Sequence, residues 1–145
     1  MAVKHQAKMP KLNRDSKHRK ALYRIQLCEL IENGSLTTTV TKAKIIKGHF
    51  DKLATKAKEG TLTSRRLVIA ELGRPKIANK LIDSIVPTMG DRKSGFTSMR
   101  KVLIRRGDST AMATLKLLVT VPETIMTSAC LGLGRITSMP KREKS

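Results

Sequence analysis

The chain has 145 residues, and its 30 Lys and Arg against 11 Asp and Glu give a formal charge of +19 at pH 7. A hydrophobic fraction of 39% is too high for a disordered polybasic tail, and the length suits one domain. We predict no membrane span, because no run of about 18 apolar residues occurs, and no secretion signal, because the first residues lack an apolar core. Such a charge implies a polyanionic partner.

Positive charge is concentrated near the N-terminus. The first 24 residues contain eight Lys and Arg and a single acid, Asp15. Residues 1–14 also contain Pro10 and show almost no apolar periodicity, so we interpret them as an extended basic arm. A solvated, disordered terminus is the alternative, but the excess of cations favours nucleic-acid binding.

The first half of the chain predicts a helix, a strand and a second helix. Asp15 or Ser16 can cap the first helix, whose two apolar stripes predict burial from both sides, and Asn33-Gly34 should end it. Alternation over residues 36–40 predicts a strand. The next helix, over residues 42–58, has Ala43, Ile46, Phe50, Leu53 and Ala57 on one face.

The second half predicts two shorter helices and two strands. Thr63 can cap a helix that runs to Leu72, and Arg74-Pro75 can open another that lasts until Pro87. The predicted strands are residues 99–105 and 112–121, joined by a turn at 106–109.

This order predicts an α+β fold, α-β-α-α-α-β-β, with the helices packed on one side of a small sheet. We divide the chain into the basic arm (1–14), one α+β domain (15–121) and a C-terminal extension (122–145), which we expect to be disordered or ordered only by a partner.

The sequence offers no catalytic or metal site. The histidines His5, His18 and His49 lack metal-type partners at helical spacing, and no CxxC occurs. Cys28 lies on an apolar stripe, and together with Cys130 it forms neither a disulfide framework nor a zinc pattern, as expected in a reducing compartment. Phosphate-cradling glycine loops are also missing. We therefore predict a protein that is not an enzyme and needs no cofactor.

Tyr23, Phe50 and Phe96 are the only Phe, Tyr or Trp residues, too few for a platform on which bases stack. Three other classes of polyanion binder remain: a DNA-binding protein, a basic adaptor and a protein that binds folded RNA. Residues 64–86 resemble a helix-turn-helix, in which Lys76 or Lys80 would contact DNA. A basic adaptor for acidic proteins or membrane surfaces also fits the charge. Cations scattered over several elements, however, favour folded RNA, which can touch more than one side of the protein.

Several segments, in order, resemble the bacterial large-subunit ribosomal protein L17 family. They are Leu12-Asn13-Arg14-Asp15-Ser16-Lys17-His18-Arg19, Thr38-Thr39-Val40-Thr41-Lys42-Ala43-Lys44, Arg65-Arg66-Leu67, Gly95-Phe96-Thr97, and Arg105-Arg106-Gly107-Asp108 before Met112-Ala113. The likeness covers residues 11–121. It implies an α+β protein of the cytoplasmic ribosome, with an organellar ribosome as an alternative. It would hold large-subunit rRNA on the solvent side near the polypeptide exit region, beside other ribosomal proteins, and not as a homo-oligomer.

The resemblance also implies an RNA-binding set: Arg14, His18, Arg19, Thr38, Thr39, Lys42, Lys44, Arg65, Arg66, Lys101, Arg105 and Arg106. The charge pattern adds further rRNA-binding candidates: Lys11, Lys17, Lys20, Arg24, Arg92, Lys93 and Arg100.

Three departures from the family pattern lie in the C-terminal half of the domain. Ser98 stands where the family usually has Arg, and Arg100 could replace the lost contact. Leu103-Ile104 stand where it usually has Gly-Pro, and Ala111 where it has Pro. We therefore expect a longer and more regular hairpin here.

Overall fold

A computed structural model describes residues 10–118 of the chain. Within this range the elements follow the order α-β-α-α-α-β-β, and the helices pack on one face of a three-stranded antiparallel sheet. The predicted α+β architecture is therefore confirmed. None of the helices in this range is long and apolar enough to cross a membrane. The predictions for residues 1–9, for residues 119–121 of the predicted strand 112–121, and for the extension 122–145 lie outside the described residues.

Helix α1 spans Ser16–Asn33 and has both of its predicted ends. At its start, the Asp15 carboxylate accepts a hydrogen bond from the backbone N–H of Lys17 at 3.3 Å. It ends at Gly34, which has a φ of 69° and donates its N–H to the carbonyl oxygen of Leu30. The second half of α1 is buried from both sides, as predicted, through Leu27, Cys28, Leu30 and Ile31.

The described end of the basic arm is a turn. The N–H of Arg14 donates to the carbonyl oxygen of Lys11 at 3.2 Å, and Leu12 and Asn13 have positive φ values of 55° and 51°. Leu12 packs against the core. The prediction of an extended arm is therefore wrong for residues 11–14, which form a turn whose Leu12 side chain is partly buried against the core.

Strand β1, Ser35–Thr39, leads directly into helix α2, Val40–Lys58. Val40 belongs to the helix, two residues before the predicted start, because Thr39 already has the extended conformation of an N-cap residue. The predicted core face of α2 is confirmed: Ala43, Ile46, Phe50, Leu53 and Ala57 are all at most 2% exposed.

Helix α3 spans Leu62–Leu72, and the prediction of its cap was wrong by two residues. Thr61, not Thr63, is the N-cap: its Oγ1 accepts a hydrogen bond from the N–H of Ser64 at 3.1 Å. Ser64 is buried and donates its own hydroxyl back to the carbonyl oxygen of Thr61. Gly73, with a φ of 67°, ends the helix.

Replacing Thr61 by Ala should lower the free energy of unfolding by about 1 kcal/mol, because the N–H of Ser64 loses its acceptor. Thr63→Ala is the matched control, since Thr63 is exposed and lies inside the helix; its effect should stay within about 0.5 kcal/mol. Urea unfolding followed by circular dichroism measures both. Equal losses in the two variants would contradict the assigned cap.

Helix α4, Pro75–Asn79, begins with proline at its first position, as predicted. It continues as a π-helical segment, Lys80–Ile85, in which the N–H of Val86 donates to the carbonyl oxygen of Leu81, five residues back. A short 3₁₀ turn, Pro87–Met89, follows. The apolar residues Ile77, Ala78, Leu81 and Ile85 of this segment are buried.

Strands β2, Thr97–Ile104, and β3, Ala111–Leu117, complete the sheet in the order β1-β3-β2. The inner face, which packs on the helices, carries Leu36, Leu115 and Met99 side by side. Helix α2 contacts all three strands. The predicted strand over 112–121 is present as β3 in its described part, and its inward-facing residues Ala113 and Leu115 are fully buried.

The hairpin reaches Ile104, but the expectation that it would be regular was wrong. Lys101 pairs with Ala113 and Ile104 with Ala111, so Val102 and Leu103 together oppose the single residue Met112. This is a β-bulge, which bends the strand and increases its twist. It leaves Val102, Leu103 and Ile104 more than half exposed.

Candidate nucleic-acid interface

A first group of predicted RNA-binding residues lies where the chain enters α1. Lys11, Lys17, His18 and Lys20 are exposed, whereas Arg14 and Arg19 are half-buried. The guanidinium of Arg19 donates to the backbone carbonyl of Arg14 at 3.4 Å, which ties the turn of residues 10–14 to the first helical turn. The partial positive charge of a helix N-terminus adds to these cations. This corner of the domain therefore attracts anions, although Asp15 is close by.

Arg24 has a role within the fold. Its Nε and Nη2 donate to the carbonyl oxygens of Glu71 and Ala70 at 3.0 and 3.2 Å, at the C-terminal end of α3. These carbonyls lack partners within the helix, and a cation near them also interacts favourably with the negative end of the helix dipole. A Cβ added at Gly73 would lie 3.1 Å from the guanidinium, so glycine leaves room for this contact. The predicted RNA contact of Arg24 stays a prediction.

The corner between β1 and α2 divides the predicted residues into buried and exposed ones. Thr38 is 7% exposed on the inner face of the sheet, and its hydroxyl accepts a hydrogen bond from the side-chain amide of Gln26 at 3.1 Å. Burial does not favour contact of Thr38 with rRNA. Thr39 and Lys42 are half-buried, and Lys44 is exposed. Lys44 is thus the member of this group that faces solvent most fully.

The neighbouring arginines Arg65 and Arg66 differ in what they contact. Arg65 donates to Asn79 at 3.2 Å and forms an ion pair with Asp83 at 2.6 Å, which links α3 to the π-helical segment. Arg66 is exposed and, within residues 10–118, forms no ion pair. Arg66 is therefore the freer of the two for a phosphate.

Sequence reasoning missed Lys58, which holds the loop that carries Arg92 and Lys93. Its ammonium group donates to the carbonyl oxygens of Gly90, at 2.7 Å, and of Arg92. The same ammonium lies 5.1 Å from the ring centroid of Phe96, a cation–π contact. These partners are more than 30 residues away along the chain, so local sequence gave no signal for them. Arg92 and Lys93 themselves are exposed.

The hairpin places its predicted cations in different surroundings. Arg100, Lys101 and Arg106 are exposed. Arg105 forms an ion pair with Asp108 across the turn, and hydrogen bonding from Arg105 holds the pKa of Asp108 well below its usual range. The Asp108 carboxylate therefore stays ionised and competes with phosphate for Arg105. Lys116, outside the predicted set, is exposed on β3, and the alternation of that strand could have identified it.

His49 and Cys28 are packing residues, as the apolar stripe predicted for Cys28. The His49 ring lies 4.8 Å from that of Tyr23, centroid to centroid, and burial lowers the pKa of the imidazole, so it is neutral at pH 7. Cys28 is 3% exposed, and burial raises the pKa of its thiol. Among the described residues, no group of three or more His, Cys, Asp and Glu could hold a metal ion.

Comparison with known proteins bears on what these exposed cations do. The sequence profile of ribosomal protein L17 matches residues 22–118 of the chain. The chain belongs to the ribosomal protein L17 family. A large ribosomal subunit protein bL17 of Thermus thermophilus is 44% identical over 116 residues, which cover 79% of this chain and 98% of the relative. Proteins of the same name from Fervidobacterium nodosum and Wolinella succinogenes are 40% and 39% identical and are covered over 98% and 100% of their lengths.

Membership in the L17 family confirms the resemblance found in the sequence. L17 is a structural, non-catalytic family, so the prediction that the chain is not an enzyme is also confirmed. α3, Gly73 and α4 do form two helices joined by a turn, and Lys76 is exposed, but the family match does not favour the helix-turn-helix hypothesis. Lys80, which would contact DNA, donates its ammonium group to the carbonyl oxygen of Glu32 at the end of α1.

Proposed function

We propose that this chain is a structural constituent of the large subunit of the bacterial cytoplasmic ribosome. It binds and holds folded large-subunit rRNA through dispersed Lys and Arg contacts to phosphates, on the solvent side near the polypeptide exit region and beside other ribosomal proteins. The observation that carries the proposal is the near-complete coverage of relatives that are named large ribosomal subunit protein bL17.

The distribution of charge supports a phosphate-binding role. In the part of the chain that the structure describes, the basic residues in ion pairs are Lys56, Arg65, Arg74 and Arg105. Most of the other predicted cations are exposed at the start of α1, on α2 and α3, in the loop before β2 and on the hairpin. Unpaired cations on several elements suit a partner that surrounds the domain, and phosphate contacts position a protein without reading base sequence.

Co-sedimentation tests the proposal. A tagged form of the full chain, expressed in a bacterium, should migrate with large subunits in a sucrose gradient at moderate salt. It should dissociate as the salt concentration rises, because each phosphate contact releases counterions. Crosslinking in intact ribosomes should recover large-subunit rRNA. Migration as free protein at moderate salt, away from the large subunit, would contradict the proposal.

Arg66→Ala should weaken binding to large-subunit rRNA while leaving the free energy of unfolding unchanged. If Arg66 contacts one phosphate, the dependence of log K on log salt should become shallower by roughly 0.7–0.9. Arg65→Ala is the companion variant: it breaks the ion pair with Asp83 and should cost at most about 1 kcal/mol of stability. Filter binding over a salt series and urea unfolding measure the two effects. Loss of stability in Arg66→Ala, or unchanged binding, would contradict the assignment.

A further inference from the structure

The sheet has an outer face, turned away from the helices, that is mostly polar and, among the described residues, contains no acidic residue. Residues paired across an antiparallel sheet share a face, so the register defines this surface. Three groups of residues lie side by side across the strands on this face. They are Ser35, Lys116 and Ser98; Thr37, Thr114 and Arg100; and Thr39 and Met112. Two cations and five hydroxyl side chains thus lie on one surface.

The two cations of the outer face have no internal counter-charge. Arg100 and Lys116 are both exposed, and within residues 10–118 neither takes part in an ion pair. They are diagonal neighbours on adjacent strands, a spacing of about 7–8 Å between residue positions, so their long side chains can reach a common ligand. The two like charges repel each other, and an anion bound between or above them relieves the repulsion.

The surroundings of these cations favour a sugar–phosphate backbone. A hollow of about 480 Å³ runs beside Arg100 and Lys116; Ser98 and Thr114 line it on the polar side, and Val102, Leu117 and Leu118 complete its lining. The Thr37 and Thr114 hydroxyls are hydrogen-bonded to each other at 3.1 Å, which orders the adjoining strand surface. Hydroxyls bind phosphate oxygens and ribose 2′-hydroxyls, whereas stacking on bases needs aromatic rings, and this face has none.

Ser98 lies beside both cations on the outer face. Arg100 lies two residues further along the same strand, and side chains two apart on a strand point to the same face. Lys116 lies directly opposite Ser98 on the neighbouring strand.

We propose that the outer face binds the sugar–phosphate backbone of rRNA, with Arg100 and Lys116 as phosphate ligands and Ser98 and Thr114 as hydrogen-bonding partners. This inference rests on the proposed function and deepens it, because it names a surface and adds Lys116 to the binding residues.

A charge-neutral double variant tests the inference. Arg100→Gln with Lys116→Gln should make the dependence of log K on log salt shallower by roughly 1.4–1.8, the loss of two phosphate contacts. The matched control, Lys52→Gln with Lys76→Gln, removes the same charge from exposed positions on α2 and α4 and should leave the slope unchanged. Arg100→Lys with Lys116→Arg keeps both charges and should retain the wild-type slope. Thermal unfolding checks that all three variants fold.

The outcomes separate the two proposals. Suppose that the wild-type chain binds large-subunit rRNA, but the dependence of log K on log salt becomes equally shallow in the test and control variants. The outer-face proposal is then overturned, and the proposed function stands. If the wild-type chain does not bind rRNA at all, both fail. A photoreactive residue in place of Thr114 adds an independent readout in intact ribosomes: a crosslink to rRNA is expected, and a crosslink to a ribosomal protein or to the same chain overturns the inference.

Discussion

Replacing Phe50 by Ala should lower the free energy of unfolding by about 3–5 kcal/mol, the largest effect that we expect from a single substitution. Phe50 is fully buried at the middle of α2, the helix that contacts all three strands. Truncation removes the transfer free energy of the ring and leaves a cavity that the surrounding helix and sheet cannot fill. Small domains are stable by only about 5–15 kcal/mol, so the loss is a large part of the total.

Urea unfolding followed by circular dichroism measures this effect. Leu67→Ala is the control, because Leu67 is also a large apolar residue in a helix but is 51% exposed. Its cost should stay within about 0.5 kcal/mol. A loss below about 2 kcal/mol for the Phe50 variant would show that the core can close around the missing ring, contrary to the packing described for α2.

Replacing Lys58 by Met should give the second largest effect, a loss of about 2–3 kcal/mol together with release of the loop around residues 90–95. Methionine keeps an unbranched apolar chain but has no ammonium group. The carbonyl oxygens of Gly90 and Arg92 lose their donor, and the ring of Phe96 loses the cation above it. The N–H of Phe96 still donates to the Asp51 carboxylate on α2 at 3.2 Å, but the part of the loop that presents Arg92 and Lys93 loses its contact with the helix, so rRNA affinity should fall as well.

Lys56→Met is the matched control for Lys58, two residues earlier on the same helix. Lys56 forms a partly exposed ion pair with Glu71 at 3.4 Å, and such pairs contribute at most about 1 kcal/mol. Amide hydrogen exchange should accelerate in residues 90–95 of the Lys58 variant and not of the control, while the N–H of Phe96 keeps its acceptor on Asp51. Equal stability and equal exchange in the two variants would exclude a special role for Lys58.

The sequence predicted those parts of the fold that depend on local chemistry. Asp15 and Gly34 mark the two ends of α1 because a side-chain acceptor and a residue that tolerates positive φ are local requirements. The core face of α2 followed from helical periodicity alone. The cap of α3 was misplaced because Thr61 and Thr63 both suit the position, and only the contact of Thr61 with the N–H of Ser64 distinguishes them.

The parts that were missed depend on distant partners. The bulge at Val102 and Leu103 reflects the register of β2 against β3, and Lys58 acts on carbonyls more than 30 residues away. The RNA contact predicted for Thr38 came from family resemblance, although its alternation with Thr37 already predicted the same buried face as Leu36. Thr38 is a polar residue at an inward-facing position of its strand, and its position predicted its burial better than its residue type did.

The strand order β1-β3-β2 also governs how the domain can form during its own synthesis. Both β1 and β2 pair with β3, which is the last of the elements in residues 10–118 to leave the ribosome that makes the chain. Ser35 must therefore wait for Lys116, about 80 residues later, before the first strand has a partner. Closing so long a loop carries an entropic cost and slows folding. The sheet thus assembles only after translation of the domain is complete, and a chain that stops before Ala111 keeps two strands unpaired and exposed to aggregation.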